Sequence, residues 1–244
     1  MQKNVKTSTK HTEKPAEKLQ TIAVARNGFS DKFGIPRQPR EGSLLVTRIE
    51  FMPDFRSRDA LRGIEQYSHL WLIWGFNAAA GAEDGTWKAT VRPPRLGGNR
   101  RVGVFATRSP FRPNRLGLSS VRLLGVEDEG DKGPVLVVAG ADMMDGSPIY
   151  DIKPYIAYTD SHPEALGGFA DEHANDRLTV HWEADTTQMP QETKAALEEI
   201  LQQDPRPAYQ HDAARVYKLD YAGCKAEFRV SDGVLTVTKV EAEE

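Results

Sequence analysis

Cysteine is nearly absent from this chain: Cys224 is the only one among 244 residues. A single thiol excludes an intramolecular disulfide framework and a cysteine-rich metal site, and it suits a cytoplasmic protein. Neither a metal-binding spacing of histidines nor a GxGxxG or GxxxxGK[ST] motif occurs. We therefore expect no metal ion and no nucleotide site of the Rossmann or P-loop type.

Long hydrophobic segments are missing as well. The longest apolar run, "LWLIWGF", covers only Leu70–Phe76, whereas a membrane-spanning helix needs about 20 apolar residues. The first eighteen residues carry five lysines and no apolar stretch. This composition predicts a disordered lysine-rich tail over residues 1–18 instead of a secretory signal, and it predicts no contact with a membrane.

Acidic residues are absent between Gly85 and Val126, although the chain contains 35 of them and has a net charge of −3. Eight arginines and no lysine occur between residues 91 and 122. Guanidinium groups match phosphate in a bidentate manner, and Pro110 and Pro113 should stiffen the loop that carries several of them. The pattern favours a polyanionic partner; the alternative is a solvated arginine face paired with acids elsewhere in the chain.

The apolar segments predict a fold rich in strands. Short runs of β-branched, aliphatic and aromatic residues are bounded by glycine, proline or Asp-Gly signals, which favours an antiparallel barrel or sandwich over a βαβ arrangement. One short helix is expected near "RDALRGIE", after the N-cap candidate Ser57. The predicted strands of this first domain, residues 19–160, are 19–25, 43–51, 70–76, 102–107, 118–127 and 134–141.

A polar segment, residues 161–177, predicts a boundary to a second domain over residues 161–244. Leu197, Ile200 and Leu201 have the i, i+3, i+4 spacing of an amphipathic helix over 190–203. Strands are expected over 177–184, 215–221 and 225–240, and Asp232-Gly233 indicates a hairpin within the last of these. The second domain is therefore predicted to be a small α+β unit.

The segment "ADMMDGSPIYDIKPY" holds three carboxylates, Asp142, Asp145 and Asp151, within ten residues. Gly146 would allow a ligand to approach the backbone closely. The same residues also suit ordinary turn chemistry, and the two methionines suit core packing. His69, which adjoins an apolar run, is interpreted as a structural histidine.

Five ordered motifs between about Leu19 and Asp160 resemble the TsaA-like, or TrmO, family of tRNA methyltransferases. A sixth motif, "QDPRPAY", resembles the C-terminal domain of the bacterial members. The five are "PRQPR", "RGIEQYSHLWLIWGF", "VRPPRLGGN", "GVFATRSPFRPNRLGLS" and "DGSPIYDIKPYI".

The resemblance implies that the protein transfers a methyl group from S-adenosyl-L-methionine to N6 of threonylcarbamoyladenosine, next to the tRNA anticodon at position 37. It implies a cofactor site on an antiparallel β-barrel and a homodimer. Two alternatives stay open: a non-catalytic RNA-binding module that uses the same arginine loop, and a methyltransferase acting on another acceptor.

The resemblance also implies roles for particular residues. Asn77 departs from the family pattern, in which histidine is common, and Arg115 stands where proline is frequent. Because the acceptor nitrogen must lose a proton, we take Asp145 and Asp151 as candidates for its acceptor. The cofactor contacts fall on Pro36, Arg37, Gln38, Phe76, Asn77, Arg108, Leu118, Met143, Met144, Asp145 and Gly146. The candidates for contact with the tRNA anticodon stem-loop are Arg92, Arg95, Arg100, Arg101, Arg112 and Arg115.

Overall fold

Segments rich in apolar residues form most of the strands in the structure of the protein, which is a computed structural model. The structure describes residues 18–36, 38, 42–76, 87–96, 100–207, 210 and 212–242. The predicted lysine-rich tail up to residue 17, the predicted cofactor residues Arg37 and Asn77, and the side chain of Arg95 lie outside what it describes. The strands are β1 (Ala23–Arg26), β2 (Val46–Phe51), β3 (His69–Gly75), β4 (Thr90–Val91), β5 (Val102–Gly103), β6 (Leu116–Asp128), β7 (Pro134–Ala139), β8 (Pro148–Pro154), β9 (Thr179–Trp182), β10 (Tyr217–Tyr221), β11 (Cys224–Ser231) and β12 (Val234–Ala242).

Six of these strands close into an antiparallel barrel with the spatial order β1-β2-β7-β6-β3-β8. Side chains alternate between its two faces, so that Leu70, Leu72 and Trp74 of β3 point into the core while Trp71 and Ile73 lie on the outer face. The barrel core also contains Ile49 and Ile149, which are fully buried. The predicted strand-rich fold without a Rossmann sheet is thereby confirmed, and of the two arrangements left open the barrel is the one formed.

Three details of the barrel differ from the sequence prediction. The strand predicted over 102–107 ends at Gly103, because a 3-10 turn over Val104–Ala106 follows it and Thr107 donates back to the Val104 carbonyl. The expected helix after Ser57 forms two 3-10 turns, Arg58–Leu61 and Ile64–Gln66, which Gly63 in the left-handed region (φ 88°) separates. Strand β8 was not predicted, since prolines begin and end it and charged residues interrupt its outer face.

The second unit is a four-stranded sheet with the order β10-β11-β12-β9, in which β9 lies parallel to β12. The predicted helix forms as α2 (Gln191–Gln202), following the single-turn helix α1 (Ala157–Asp160), and it buries Leu197, Ile200 and Leu201 against the sheet. Asp232 and Gly233 have φ values of 49° and 78°. This pair of positive φ angles suits a tight two-residue hairpin turn, so the predicted Asp-Gly hairpin is confirmed.

The segment between β1 and β2 packs into the core of the second unit, which the sequence did not predict. Phe29 and Leu45, each 1% exposed, belong to the same apolar cluster as α2 and the four-stranded sheet. Phe29 contacts the ring of Tyr221, with 5.0 Å between the ring centroids. The Gly28 carbonyl accepts a hydrogen bond from Ala222 N. The barrel and the sheet therefore share this segment, here called the shared loop (residues 27–45).

Candidate functional site

The shared loop begins at Asn27, which fixes it to the Asp-Gly turn that follows β7. Asn27 Nδ2 donates to the Met143 carbonyl over 3.0 Å, and Asn27 Oδ1 accepts from Phe29 N over 3.0 Å. In return Asp145 N donates to the Phe29 carbonyl over 3.0 Å. The turn and the start of the loop consequently hold each other in one arrangement.

Asp145 takes part in the same network through its carboxylate. One oxygen accepts from Asn27 N over 3.0 Å, and the other lies 3.4 Å from Arg26 Nη1. Gly146 follows with φ 75°, a conformation that glycine adopts without strain. Its N–H donates to the Ala25 carbonyl. The turn is therefore organised before any ligand binds.

A polar pair, formed by the buried Ser119 and the half-buried Asp142, lies at the adjoining end of the barrel. Ser119, fully buried on β6, receives a hydrogen bond of 2.8 Å from Trp74 Nε1 and donates one to Asp142. Burial raises the pKa of Asp142 to about 6, although the Ser119 hydrogen bond and the charge of Arg108 oppose the rise. Asp142 is therefore mostly ionised near pH 7 and is a stronger base than an exposed aspartate.

Several of the predicted cofactor residues surround this pair. Arg108 Nη1 donates a hydrogen bond to Gln38 Oε1, and its charge acts on Asp142. The ring of Phe76 lies 4.4 Å, centroid to centroid, from the ring of Trp74. The structure thus brings together Gln38, Phe76, Arg108 and the turn over residues 143–146, with Ser119 and Asp142 between them.

Two predicted residues lie on the outer face of the barrel. Leu118 and Asp151 both pair with Ile73, from the strands on either side of it, so the three side chains form one row. Leu118 is 54% exposed, and Asp151 forms an ion pair of 3.0 Å with Lys153. Asp151 is therefore on the face opposite to the buried Ser119.

Met143, Met144 and Pro36 complete the predicted set. The side chain of Met143 is 1% exposed and packs in the barrel core. Its backbone carbonyl accepts the hydrogen bond from Asn27. Met144 is half-buried. Pro36 lines a cleft of about 180 Å³ between the shared loop and the end of α2.

The predicted tRNA-binding arginines lie at the surface. Arg92, Arg100 and Arg101 are exposed, and Arg112 and Arg115 are half-buried. Four of the six have no acidic side chain at ion-pair distance within the described ranges. These are Arg92, Arg100, Arg101 and Arg112. The alternative that acids elsewhere neutralise them does not hold for these four among the residues described.

Sequence reasoning missed part of this site. Ser119 and Trp74 gave no signal, since each looks like an ordinary strand residue, and Asp142 was noted only as one of three carboxylates near a turn. Asn27 follows an apolar run, as many loop residues do. Their common signal is spatial: a hydrogen bond from Ser119 to Asp142 joins β6 to the segment that follows β7.

Neither a membrane-crossing helix nor a cluster of metal-ligating side chains is found in the part of the chain that the structure describes. No helix there is long and apolar enough to span a bilayer. No group of three or more histidine, cysteine, aspartate or glutamate residues there is arranged to hold a metal ion.

Comparison with known families matches both units of the chain. Residues 24–161 match the family described as the tRNA-methyltransferase O N-terminal domain. Residues 174–243 match the TrmO C-terminal domain. Together the two matches cover the barrel, the shared loop and the four-stranded sheet.

Individual relatives agree with these matches. The chain is 36% identical, over 233 residues, to a tRNA (adenine(37)-N6)-methyltransferase of Escherichia coli K12, which covers 91% of this chain and 97% of the relative. It is 42% identical over 197 residues to a protein of Pseudomonas aeruginosa PAO1, covering 78% of this chain and 81% of that one, whose name assigns it provisionally to the S-adenosylmethionine-dependent methyltransferases. The crystal structure of TrmO from Pseudomonas aeruginosa superposes with a TM-score of 0.73 at 30% identity, covering 93% of this chain and 99% of that one.

Proposed function

Since the chain belongs to the tRNA-methyltransferase O family, we propose that it is an S-adenosyl-L-methionine-dependent methyltransferase acting on N6 of threonylcarbamoyladenosine at position 37 of tRNA. The observation that carries the proposal is a set of four arginines without an acidic partner among the described residues, in the segment that connects barrel strands β3 and β6. Unneutralised guanidinium groups attract and orient phosphates. The polar group of Ser119, Asp142 and Arg108 is the proposed place for chemistry on the bound RNA.

The residues around the Ser119–Asp142 pair fit S-adenosyl-L-methionine in their chemistry. The cofactor carries a carboxylate, an adenine ring and hydroxyl and ammonium donors. Arg108 would bind the carboxylate, Phe76 would contact the adenine, and Gln38 and the backbone of the turn at Gly146 would bind the remaining polar groups. When bound, the cofactor supplies an electrophilic methyl group on a sulfonium whose sulfide is the leaving group.

The acceptor nitrogen needs help to react, because its lone pair is delocalised into the purine and into the carbonyl of the carbamoyl group. A base that accepts the N6 proton would restore its nucleophilicity. Asp142 suits this task, since its pKa is raised to about 6 and Ser119 holds its orientation. Asp145 and Asp151 remain proposed alternatives, although Arg26 and Lys153 already neutralise them.

Recognition of the RNA is assigned to the arginines of the barrel. Arg112 and Arg115 would contact phosphates of the anticodon stem-loop, with Arg92, Arg95, Arg100 and Arg101 extending the contact surface. Bases in a single-stranded loop are already unstacked in part and present their edges. The target base can therefore reach the Ser119–Asp142 pair without the opening of a duplex.

We place this activity in the cytoplasm and expect a homodimer. The single cysteine, Cys224, is consistent with a reducing compartment. Light scattering on the purified protein tests the dimer: a mass near 54 kDa is expected, twice the 27.2 kDa of the chain, and a mass of one chain would refute it.

The substrate is tested with one tRNA in two forms. We expect transfer of a labelled methyl group to tRNA isolated from cells, which carries the threonylcarbamoyl group, and none to the same tRNA transcribed in vitro. The carbamoyl group makes the N6 proton more acidic, and the threonyl carboxylate offers an anion that an arginine can orient. Equal methylation of both forms would favour the rival methyltransferase of another acceptor. RNA binding without methylation of either form would favour the non-catalytic module.

A further inference from the structure

Two large aromatic side chains lie uncovered at the surface of the arginine-rich region. Trp87 is 48% exposed and Phe105 is 71% exposed. Their rings stack on each other with 6.0 Å between centroids and 23° between planes. Rings of this size normally gain free energy by burial. This pair, here called the aromatic platform, has a free outer surface in the described part of the chain.

The platform is held by the small sheet of β4 and β5. Thr90 pairs with Gly103 and Val91 with Val102, and beyond that pairing Val104 N donates to the Ala89 carbonyl over 3.0 Å. The 3-10 turn that follows β5 then buries Val104 and leaves Phe105 outside. The exposure of Phe105 is thus a consequence of ordered backbone.

Positively charged side chains belong to the same small sheet and its flanking residues. Arg100 and Arg101 are exposed nearby in the chain, and Arg101 Nη1 is placed by a hydrogen bond of 3.1 Å to Thr90 Oγ1. Lys88 Nζ lies 4.7 Å from the centroid of the Phe111 ring. An occupant of this surface must therefore combine negative charge with a flat ring.

A second copy of this chain satisfies that requirement poorly. A symmetric contact would place the same patch on both copies, and it would bring Arg100 and Arg101 of one copy towards those of the other. Single-stranded RNA satisfies it well, because each nucleotide carries a phosphate and an aromatic base.

We propose that the aromatic platform stacks an unpaired nucleobase of the tRNA anticodon loop, while the neighbouring arginines bind the flanking phosphates. The inference rests on the proposed function for the identity of the RNA. Stacking on Trp87 and Phe105 would be tolerant of sequence, because every base has a flat face. It would set the position of the loop relative to the Ser119–Asp142 pair.

The test compares Phe105→Ala with Phe105→Trp, using an anticodon stem-loop RNA as the probe. Phe105→Ala should weaken binding about tenfold, as expected for the loss of one stacked base, and Phe105→Trp should restore it. The salt dependence of binding should stay unchanged, because no phosphate contact is lost. Tyr158→Ala is the matched control, since this tyrosine is 91% exposed but lies in the short helix α1, and it should bind as the unaltered protein does.

Three results separate the inference from its rivals. Unchanged RNA affinity together with a lower mass by light scattering would overturn it and assign the platform to an interface between copies. Unchanged affinity at unchanged mass would also overturn it. Weaker RNA binding by Phe105→Ala supports it, even if the unaltered protein fails to methylate tRNA, in which case the proposed function fails alone.

Discussion

The arginine-rich segment between β3 and β6 differs from the four-stranded sheet in how its charged side chains are paired. On the sheet, Lys218 pairs with Glu227 of the adjacent strand over 2.7 Å, and Lys239 pairs with Glu241 over 2.6 Å. On the barrel side, arginines such as Arg112 have no acidic partner among the described residues. Paired surface charges add little to stability and leave little net charge to attract a ligand. We infer from this contrast that the arginine-rich segment is available to bind an anionic ligand.

The same contrast exists along a single strand of the barrel. Near the end of β6, Glu127 forms an ion pair of 2.8 Å with Arg48. Near its beginning, Ser119 donates a hydrogen bond to the half-buried Asp142, on which the charge of the exposed Arg108 acts. Ion pairs at one end of β6 and an exposed cation at the other distinguish the end held by ion pairs from the end that carries the proposed site.

The largest expected effect concerns the shared loop. Phe29→Ala should lower the free energy of unfolding by about 3 kcal/mol, because it removes a fully buried ring from the core of the second unit. It should also weaken cofactor binding, since the Phe29 carbonyl accepts from Asp145 N. Urea denaturation and titration calorimetry with S-adenosylhomocysteine measure the two quantities.

Leu235→Ala is the matched control for Phe29→Ala. Leu235 is equally buried in the same cluster but lies on β12. A comparable loss of stability with intact cofactor affinity is expected. Equal cofactor affinity in both variants would mean that the loop and the site are independent.

The next largest effect concerns Arg108, the cation whose charge acts on Asp142. Arg108→Ala should lower kcat/KM for methyl transfer about 100-fold, the size expected when one fixed charge or donor is lost from an active site. Arg229→Ala, an exposed arginine on β11 of the sheet, should leave methyl transfer unchanged. A similar rate for both variants would remove the functional distinction between the two regions.

A third prediction uses the titration of Asp142. Its pKa in the folded protein, about 6, lies above the ordinary value of 3.8. The protonated carboxyl therefore makes its full contribution to the free energy of unfolding only below about pH 4. This contribution is lost as the pH rises through about 6. Asp142→Asn should be more stable than the unaltered protein at pH 7, by about 3 kcal/mol, and should transfer methyl groups slowly.

Denaturation curves of both proteins between pH 4 and pH 8 measure this difference. The difference in unfolding free energy should increase between pH 4 and pH 6 with the slope that corresponds to one bound proton. The reason is that the asparagine keeps an acceptor for Ser119 but cannot ionise. A constant difference across this range would show that Asp142 does not titrate there.

The smallest effect concerns an individual phosphate contact. Arg112→Ala should weaken tRNA binding several-fold and reduce the slope of log affinity against log salt by about one. Lys218→Ala on the sheet, where the cation is already paired with Glu227, should change neither. The two variants lose the same charge, so an equal effect of both would indicate attraction by net charge alone.

The sequence predicted the fold better than the site. Short apolar runs bounded by turn signals identified five of the six barrel strands, because the barrel core requires apolar side chains on every strand. Strand β8 was not predicted, since prolines and the charged Asp151 and Lys153 interrupt its apolar pattern. At Val104–Ala106 local hydrogen bonds form a 3-10 turn, although the residue types there favour a strand.

The site depends on contacts between segments distant in sequence. Gln38 and Arg108, 70 positions apart, form one hydrogen bond, and residue types alone give no indication of such a pair. The resemblance named both residues, but it did not identify Ser119 or Asp142. Their partnership becomes visible only when the barrel closes and faces β6 towards the segment after β7.

The shared loop has a consequence for how such proteins can be divided or recombined. Phe29 and Leu45 are encoded with the barrel but complete the core of the sheet. A fragment cut at the polar segment near residue 161 would leave the sheet with a cavity where Phe29 lies, and would leave the barrel with two exposed apolar side chains. Exchange of the second unit between relatives therefore requires the loop to be exchanged with it, so the heritable module is discontinuous in the gene.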